Sequence, residues 1–289
     1  MKTRPLIEQH FHGCFGIDFN TASVEDVLYL AKEIRKYGIG GIFPTLVTDS
    51  IENIKRQTKI IKTAAERQTP DMAKILGVHL EGIFLNPLKS GIHDEKYFLP
   101  LTAQNFGLVE DDFIKIVTLA PELMSMRPRW VKIQAGHCVS GDLSACDGVT
   151  HMFNAMAGIS HKEPSTALSA MVNDEIYTEI IADGVHVSDD ALKLLFKSKP
   201  ADKILLVSDS LPIAKSGLKE MEFAGRKIYA DGRAKDGTLA GSVQVLPDII
   251  KSLNEKGLFN PKFIENPYNY HKIAIPGQIE WDEEFNLVN

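Results

Sequence analysis

The 289-residue sequence lacks the usual signals of membrane insertion, of nucleic-acid binding and of disulfide formation in an oxidising compartment. Its three cysteines are an odd number with no CxxC spacing, which disfavours disulfides and thiolate zinc sites and is typical of reduced thiols. No apolar run approaches membrane-spanning length, and no apolar leader follows Met1. Basic clusters are also lacking, and the net charge of −6 disfavours nucleic acid as a partner. We therefore expect a cytoplasmic protein with neither a membrane nor a nucleic-acid partner.

The length and the order of apolar segments predict one large α/β domain. A hydrophobic content of 44% and 289 residues fit a single domain over residues 1–289, with an irregular C-terminal tail at 255–289. Strand and helix patterns alternate up to residue 209. The predicted strands are 6–10, 41–46, 74–80, 114–119, 131–135, 148–151, 177–182 and 203–208. Eight strands in this alternation predict a (β/α)8 TIM-type barrel.

The connections around predicted strands four to six are short. Only about a dozen residues separate strand four from five and strand five from six, too few for a full helix in each. We expect thinned helices on this side of the barrel. An uncovered parallel sheet would expose apolar surface, so a second subunit or the C-terminal tail should cover it, and a homodimer is expected. Further on, residues 223–230 and 233–238 predict a hairpin joined at Asp231-Gly232.

Metal-ligating residues follow several of the predicted strands at their carboxyl ends. Glu81 ends an apolar strand, and His137 and His151 end two successive strands. One carboxylate and two imidazoles leave an open position on a divalent ion, as hydrolysis requires. His10 and His12 alternate on a strand, so both face the same side. They could bind a second ion, or could orient a substrate without metal.

Two further residues suggest proton transfer and substrate contact. Asp209 ends the last predicted strand, where a carboxylate can move a proton between water and a leaving amine; its alternative role is a helix N-cap. His186 lies in a loop just after Gly184, which favours contact with substrate over metal ligation. Cys14 and Cys138 lie next to proposed ligands, and we interpret both as small buried thiols.

Eight short motifs are informative as a set. They are GVHLEGIFLNP at 77–87, KSGIH at 89–93, TLAPE at 118–122, AGH at 135–137, THMFNAM at 150–156, IADGVH at 181–186, VSD at 207–209 and GTLAGS at 237–242. In this order the motifs resemble those of the N-acetylglucosamine-6-phosphate deacetylases of the amidohydrolase superfamily. The resemblance implies a hydrolase that removes the acetyl group from an amino-sugar phosphate with the help of one or two divalent ions, zinc or alternatively iron.

Roles for individual residues follow from the resemblance. It implies Glu81, His137 and His151 as ligands of the main metal, and His10 and His12 as ligands of the second. Asp209 would be the catalytic acid and base, and His93 would contact the sugar or the acetyl carbonyl and stabilise the oxyanion. Asn154 and Ala155 would line the sugar-phosphate site, with His186 beside them.

The sequence also departs from the family pattern. The barrel begins almost at Met1, so the small β-sandwich of family members should be missing or vestigial. Lys162 replaces a phosphate-binding arginine, which keeps the charge but loses the bidentate fork. Ile83 stands where proline is usual. A cyclic-amide hydrolase is disfavoured because the end of strand four reads Thr118-Leu119-Ala120, with no lysine for carbamylation. A non-catalytic relative that binds an amino-sugar phosphate or a protein partner is the alternative.

Overall fold

The computed structural model describes residues 1–288. Its strands are β1 (Lys2–Thr3), β2 (Leu6–Phe11), β3 (Gly13–Cys14), β4 (Ile17–Asp18), β5 (Ile39–Val47), β6 (Lys74–Ile75), β7 (Val78–Glu81), β8 (Ile114–Leu119), β9 (Lys132–Ala135), β10 (Gly148–Val149), β11 (Tyr177–Ile180), β12 (Ile204–Leu206), β13 (Glu220–Phe223), β14 (Arg226–Tyr229), β15 (Ile279–Trp281) and β16 (Leu287–Val288). Its α-helices are α1 (Val24–Arg35), α2 (Ile51–Arg67), α3 (Ala103–Gly107), α4 (Thr166–Val172), α5 (Asp189–Ser198), α6 (Leu246–Glu255) and α7 (Lys262–His271).

Eight strands form one curled parallel sheet. Their order is β12-β11-β10-β9-β8-β7-β5-β2, and the short β6 pairs with β5. The chain just beyond β12 returns to β2: the Asp209 amide donates to the His10 carbonyl at 2.9 Å, and the His12 amide donates to the Ser210 carbonyl at 2.8 Å. Because the strands are parallel, their carboxyl ends gather at one edge, and this edge holds the predicted site residues.

Local signals explain why the first helix begins where it does. Ser23 caps α1: its hydroxyl accepts from the Asp26 amide at 3.2 Å, and the Asp26 carboxylate accepts from the Ser23 amide at 2.9 Å. These two reciprocal hydrogen bonds form a capping box. Val27, Leu30 and Ile34 recur on one face of the helix and are buried against the sheet. The helix is therefore held by its cap and by one apolar stripe.

The outer layer is uneven. The connection from β8 to β9 contains a 3-10 turn at Pro121–Leu123, and within residues 1–288 no helix lies between β9 and β10. Trp130, in the first of these connections, is 56% exposed. Helix α7 packs mainly on β12 and β2, and its Tyr270 ring lies 4.8 Å from Lys132 Nζ in β9. Coverage of the exposed flank by a second subunit remains a prediction.

The predicted irregular tail at 255–289 is wrong for most of its length. It contains α7, and β15 pairs with both β16 and the N-terminal β1 in a three-stranded antiparallel sheet. Phe263, Tyr268 and Trp281 from this segment are buried. Pro267 lies inside α7 and interrupts the helical pattern, which is why the sequence did not predict a helix there.

The hairpin region contains two turns, and the sequence predicts only the second of them. Strands β13 and β14 pair across a turn at Ala224-Gly225, where φ is 50° and 72°. The predicted turn at Asp231-Gly232 also forms: the Gly232 amide donates to the Tyr229 carbonyl at 2.9 Å, and Ile228 pairs with Ala234 in an isolated antiparallel bridge. An alanine in the left-handed region is rare, so Ala-Gly is a weak hairpin signal and Asp-Gly a strong one.

None of the helices in the described part of the chain has the length and apolar character needed to cross a bilayer.

Cys14, Cys138 and Cys146 carry free thiols, and burial raises the pKa of each to about 12. Protonated thiols are poor nucleophiles and poor metal ligands, in agreement with our interpretation of Cys14 and Cys138 as small buried thiols.

Candidate metal and substrate site

A cavity of about 410 Å³ opens at the carboxyl edge of the parallel sheet. The predicted site residues that line it are His12, Glu81, His93, His137, His151, Asn154, Ala155, His186 and Asp209. His10 is fully buried just beneath the cavity, in contact with Glu81 and Asp209. Lys162 is the exception, because it is exposed on a loop and does not line the cavity.

The first group of potential metal ligands consists of Glu81, His137 and His151. Glu81 Oε1 lies 3.0 Å from His151 Nε2 and 3.4 Å from His137 Nε2. The two Nε2 atoms are 3.1 Å apart. The His137 Nδ1–H donates to the Lys89 carbonyl at 2.7 Å, so its Nε2 presents a lone pair to this group. The three side chains can therefore converge on one ion.

The second group shares Glu81 with the first. Glu81 Oε2 lies 3.1 Å from His12 Nε2 and 3.3 Å from His10 Nε2. Asp209 Oδ1 lies 3.2 Å and 3.4 Å from the same two nitrogens. Two carboxylates and two imidazoles thus surround one point. Because Glu81 places one oxygen in each group, it is the residue that could bridge two ions.

The electrostatics of the second group fit a cation. His10 Nε2 and Asp209 Oδ1 are buried without a hydrogen bond of acceptable geometry. Burial lowers the pKa of His12, but the neighbouring Asp209 and Glu81 carboxylates outweigh it and raise the pKa to about 9. The pKa of Asp209 is lowered although burial opposes this, because His10 and His12 lie beside it. Two carboxylates so deep in the protein need positive charge, which either protons or a divalent ion can supply.

Unusual backbone conformations place these side chains. His137, His151 and Asp209 all have positive φ, at 49°, 30° and 52°. Side chains other than glycine rarely adopt this region. At Gly82, where φ is 136°, a Cβ would lie 2.0 Å from Thr48 Oγ1, so only glycine fits. The chain reverses direction sharply at these strand ends and aims its polar side chains into the cavity.

His93 is held by a residue that the sequence analysis did not single out, Thr48. The Thr48 hydroxyl oxygen accepts from the Ile83 amide at 3.1 Å, so its proton can donate to His93 Nδ1 at 2.8 Å. His93 Nε2 then carries the ring proton and lies 3.6 Å from Glu81 Oε2. Burial, together with the nearby His137, lowers the pKa of His93 to about 4. His93 is therefore a neutral hydrogen-bond donor facing the cavity.

The orientation of the His186 ring and the positive charge in the cavity depend on two further residues, Asp183 and Lys89, to which the sequence analysis gives no role. Asp183 Oδ2 accepts from His186 Nδ1 at 2.9 Å and from the Ser242 hydroxyl at 2.8 Å, which orients the His186 ring. Lys89 is half-buried and, among residues 1–288, is the one lysine or arginine that lines the cavity. Neither Asp183 nor Lys89 carries a signal of its own, although each lies in a motif with a predicted histidine.

A curled parallel α/β sheet with these two groups at its carboxyl edge defines an α/β protein with a site able to bind a divalent metal. No family model matches the chain. The chain is 30% identical over 274 residues to N-acetylglucosamine-6-phosphate deacetylase from Bacillus subtilis, covering 86% of this chain and 69% of that protein. It is 28% identical over 259 residues to N-acetylgalactosamine-6-phosphate deacetylase from a Shewanella species, covering 82% and 64%.

Solved structures agree with the sequence relatives. The crystal structure of N-acetylglucosamine-6-phosphate deacetylase from Thermotoga maritima superposes with a TM-score of 0.89 at 25% identity, covering 99% of this chain and 86% of that one. The chain belongs to the N-acetylglucosamine-6-phosphate deacetylase family, as the sequence motifs predict.

Proposed function

We propose that this protein is a metal-dependent hydrolase that converts N-acetylglucosamine-6-phosphate to glucosamine-6-phosphate and acetate. One observation carries the proposal: Glu81 joins two groups of histidines, and Asp209 lies in the same cavity. Family membership supports the substrate class. The proposal includes a closed (β/α)8 barrel in a single domain, supported by the hydrogen bonds between β2 and the chain after β12.

Glu81, His137 and His151 would hold the main ion, and His10 and His12 a second one. Nitrogen and oxygen ligands of this kind suit Zn²⁺, with Fe²⁺ as the alternative. A divalent ion supplies Lewis acidity, which polarises an acetyl carbonyl and makes water more acidic. The remaining chemistry belongs to the side chains that face the cavity.

Two side chains have positions suited to the reaction. His93, with its proton on Nε2, would donate to the acetyl oxygen as negative charge develops there. Asp209 has a lowered pKa and is therefore an acceptor at neutral pH. It would take a proton from the attacking water and return it to the departing amine, so that the C–N bond breaks with a neutral leaving group.

The sugar phosphate would bind at the outer part of the cavity. Asn154, Ala155 and His186 line it, and Lys89 supplies positive charge. Lys162, expected from the resemblance to contact phosphate, lies outside this cavity, so we assign the charge to Lys89. A phosphorylated substrate and three free thiols are typical of a protein in the reducing cytoplasm. Separately, the exposed side of the sheet near Trp130, which has no covering helix, supports a homodimer.

The decisive experiment combines metal analysis with a deacetylation assay on the 6-phosphates of N-acetylglucosamine and N-acetylgalactosamine. The variant Asp209→Asn is nearly isosteric but cannot accept the proton, so kcat should fall at least about 10²- to 10⁴-fold while the main metal remains. A variant with unchanged metal and kcat would exclude Asp209 as the proton shuttle. A metal-loaded wild-type protein that hydrolyses neither sugar would favour the non-catalytic alternative.

A further inference from the structure

A chain of buried hydrogen bonds runs from the C-terminal helix α7 to the second metal group. His271 Nε2 lies 2.9 Å from Gln9 Oε1, and Gln9 Nε2 donates to Glu179 Oε1 at 2.6 Å. Glu179 Oε2 lies 3.0 Å from His10 Nδ1. Gln9, Glu179 and His10 are completely buried. The opposite edge of the His10 ring faces Glu81 and Asp209.

The donor in each link follows from the carboxylate. An ionised carboxylate only accepts, so both Gln9 and His10 must donate to Glu179. The Gln9 amide therefore turns its oxygen toward α7, where it accepts from His271. Burial lowers the pKa of His271 to about 3, so this ring is neutral with a single N–H to give. His10 then carries its proton on Nδ1 and leaves the Nε2 lone pair free.

Glu179 also contacts the first metal group. Its Oε2 accepts from the His151 backbone amide at 3.4 Å, and its own backbone carbonyl accepts from the Met152 amide at 2.8 Å. His151 is one of the residues with positive φ. One carboxylate thus touches a side chain of the second group and the backbone of the first. A residue at this position can set the geometry of both groups without facing the cavity.

We propose that Glu179 is a positioning residue, braced by Gln9 and His271, that selects the His10 nitrogen presented to metal and fixes the orientation of that ring. The inference rests on the proposed metal-dependent function and deepens it. A carboxylate behind an imidazole ligand makes the ring a better donor, and losing such a partner typically weakens metal binding about 10- to 100-fold.

The test compares Glu179→Gln with the matched control Glu8→Gln. Glu8 is also fully buried, but its carboxylate accepts hydrogen bonds from the backbone amides of Ser208 and His10 and, within residues 1–288, forms no hydrogen bond with the side chain of a proposed ligand. Zn²⁺ affinity would be measured by competition with a chromogenic chelator. Glu179→Gln should bind the second ion, the one held by His10 and His12, about 10- to 100-fold less tightly than Glu8→Gln does. Gln9→Leu should show a smaller loss of Zn²⁺ affinity, since it removes only the hydrogen bond that Gln9 donates to Glu179.

Nitrogen NMR of zinc-loaded protein labelled with ¹⁵N-histidine supplies a second measurement. In the wild type, His10 and His137 should both be protonated at Nδ1 and bonded to zinc through Nε2. The His10 signal should change in Glu179→Gln and persist in Glu8→Gln, and the His137 signal should persist in both variants. Equal affinities and unchanged histidine signals in Glu179→Gln would overturn the inference. A wild type that binds zinc but deacetylates no amino sugar would refute the proposed function alone, because the affinity comparison still decides the role of Glu179.

Discussion

The contact between Thr48 and His93 gives a sharp test of how the site works. Thr48→Val preserves the shape of the side chain and removes its hydroxyl. Two hydrogen bonds disappear: the one donated to His93 Nδ1 at 2.8 Å and the one accepted from the Ile83 amide at 3.1 Å. The first loss frees His93 to place its proton on either nitrogen. The second leaves a buried backbone amide without a partner.

The two losses have different magnitudes. A single hydrogen bond contributes about 0.5–1.5 kcal/mol net, so the population of the productive His93 tautomer, and with it kcat, should fall about 2- to 10-fold. The Thr48 amide, 3.4 Å from Nδ1, survives in the variant and moderates this effect. The unpartnered Ile83 amide should lower the free energy of unfolding by about 1–3 kcal/mol. KM should change little, because the bond acts on charge that develops in the transition state.

Steady-state kinetics and thermal unfolding measure both effects, with Thr48→Ser and His93→Ala as controls. Serine keeps the hydroxyl and should retain most of the wild-type kcat, whereas His93→Ala should lose about 10²- to 10³-fold, as expected for an oxyanion donor. Because the pKa of His93 is about 4, the wild-type and Thr48→Val pH profiles should run parallel above pH 5. Wild-type kcat in Thr48→Val, alongside a strong loss in His93→Ala, would refute tautomer selection by Thr48.

Three other predictions concern metal, phosphate and stability. His151→Ala should lose the main ion and with it the rise in melting temperature on adding Zn²⁺, measured by metal analysis and scanning fluorimetry; an unchanged metal content would contradict the ligand assignment. Lys89→Met should raise KM for the 6-phosphate far more than KM for the free sugar, whereas Lys162→Met, at an exposed position, should leave both KM values near those of the wild type. A larger effect of Lys162→Met on KM for the 6-phosphate would identify Lys162 as the phosphate contact. Lys199 donates to the Ala170 carbonyl, and burial lowers its pKa from 10.5 to about 8. The folded state therefore binds fewer protons above pH 8, so wild type should gain stability relative to Lys199→Met between pH 8 and 10; a pH-independent difference in chemical denaturation would contradict this.

The strands were predictable because a parallel sheet is buried on both faces. Predicted strand 114–119 coincides with β8, and predicted strand 131–135 differs from β9 by one residue. Such strands are continuous apolar runs, and a histidine or carboxylate at the end of the run is visible as a break. The convergence of these ends follows from parallel topology alone, which is why distant residues could be assigned to one cavity.

The supporting residues could not be predicted in the same way. Glu179 lies within a strand, where alternation cannot distinguish the sheet interior from the helix-covered face. Gln9 lies where the pairing of β2 with β5 shifts register, between Glu8 and Phe11, so simple alternation does not predict its direction. Threonine is common in strands, so Thr48 carries no chemical signal. Lys162 was assigned by its place in a motif, whereas distance to the cavity depends on loop conformation. These roles are properties of tertiary contacts.

The left-handed backbone at His137, His151 and Asp209 has a consequence for directed evolution. Each such residue costs on the order of 1–3 kcal/mol, and glycine would relieve that cost at every one of the three positions. A selection for heat resistance in the absence of metal would therefore enrich glycine at the positions that the chemistry needs most. Libraries built to make this protein more robust should hold these three codons constant and screen with metal present, because glycine at these positions would favour stability and remove the metal-binding and proton-transfer side chains.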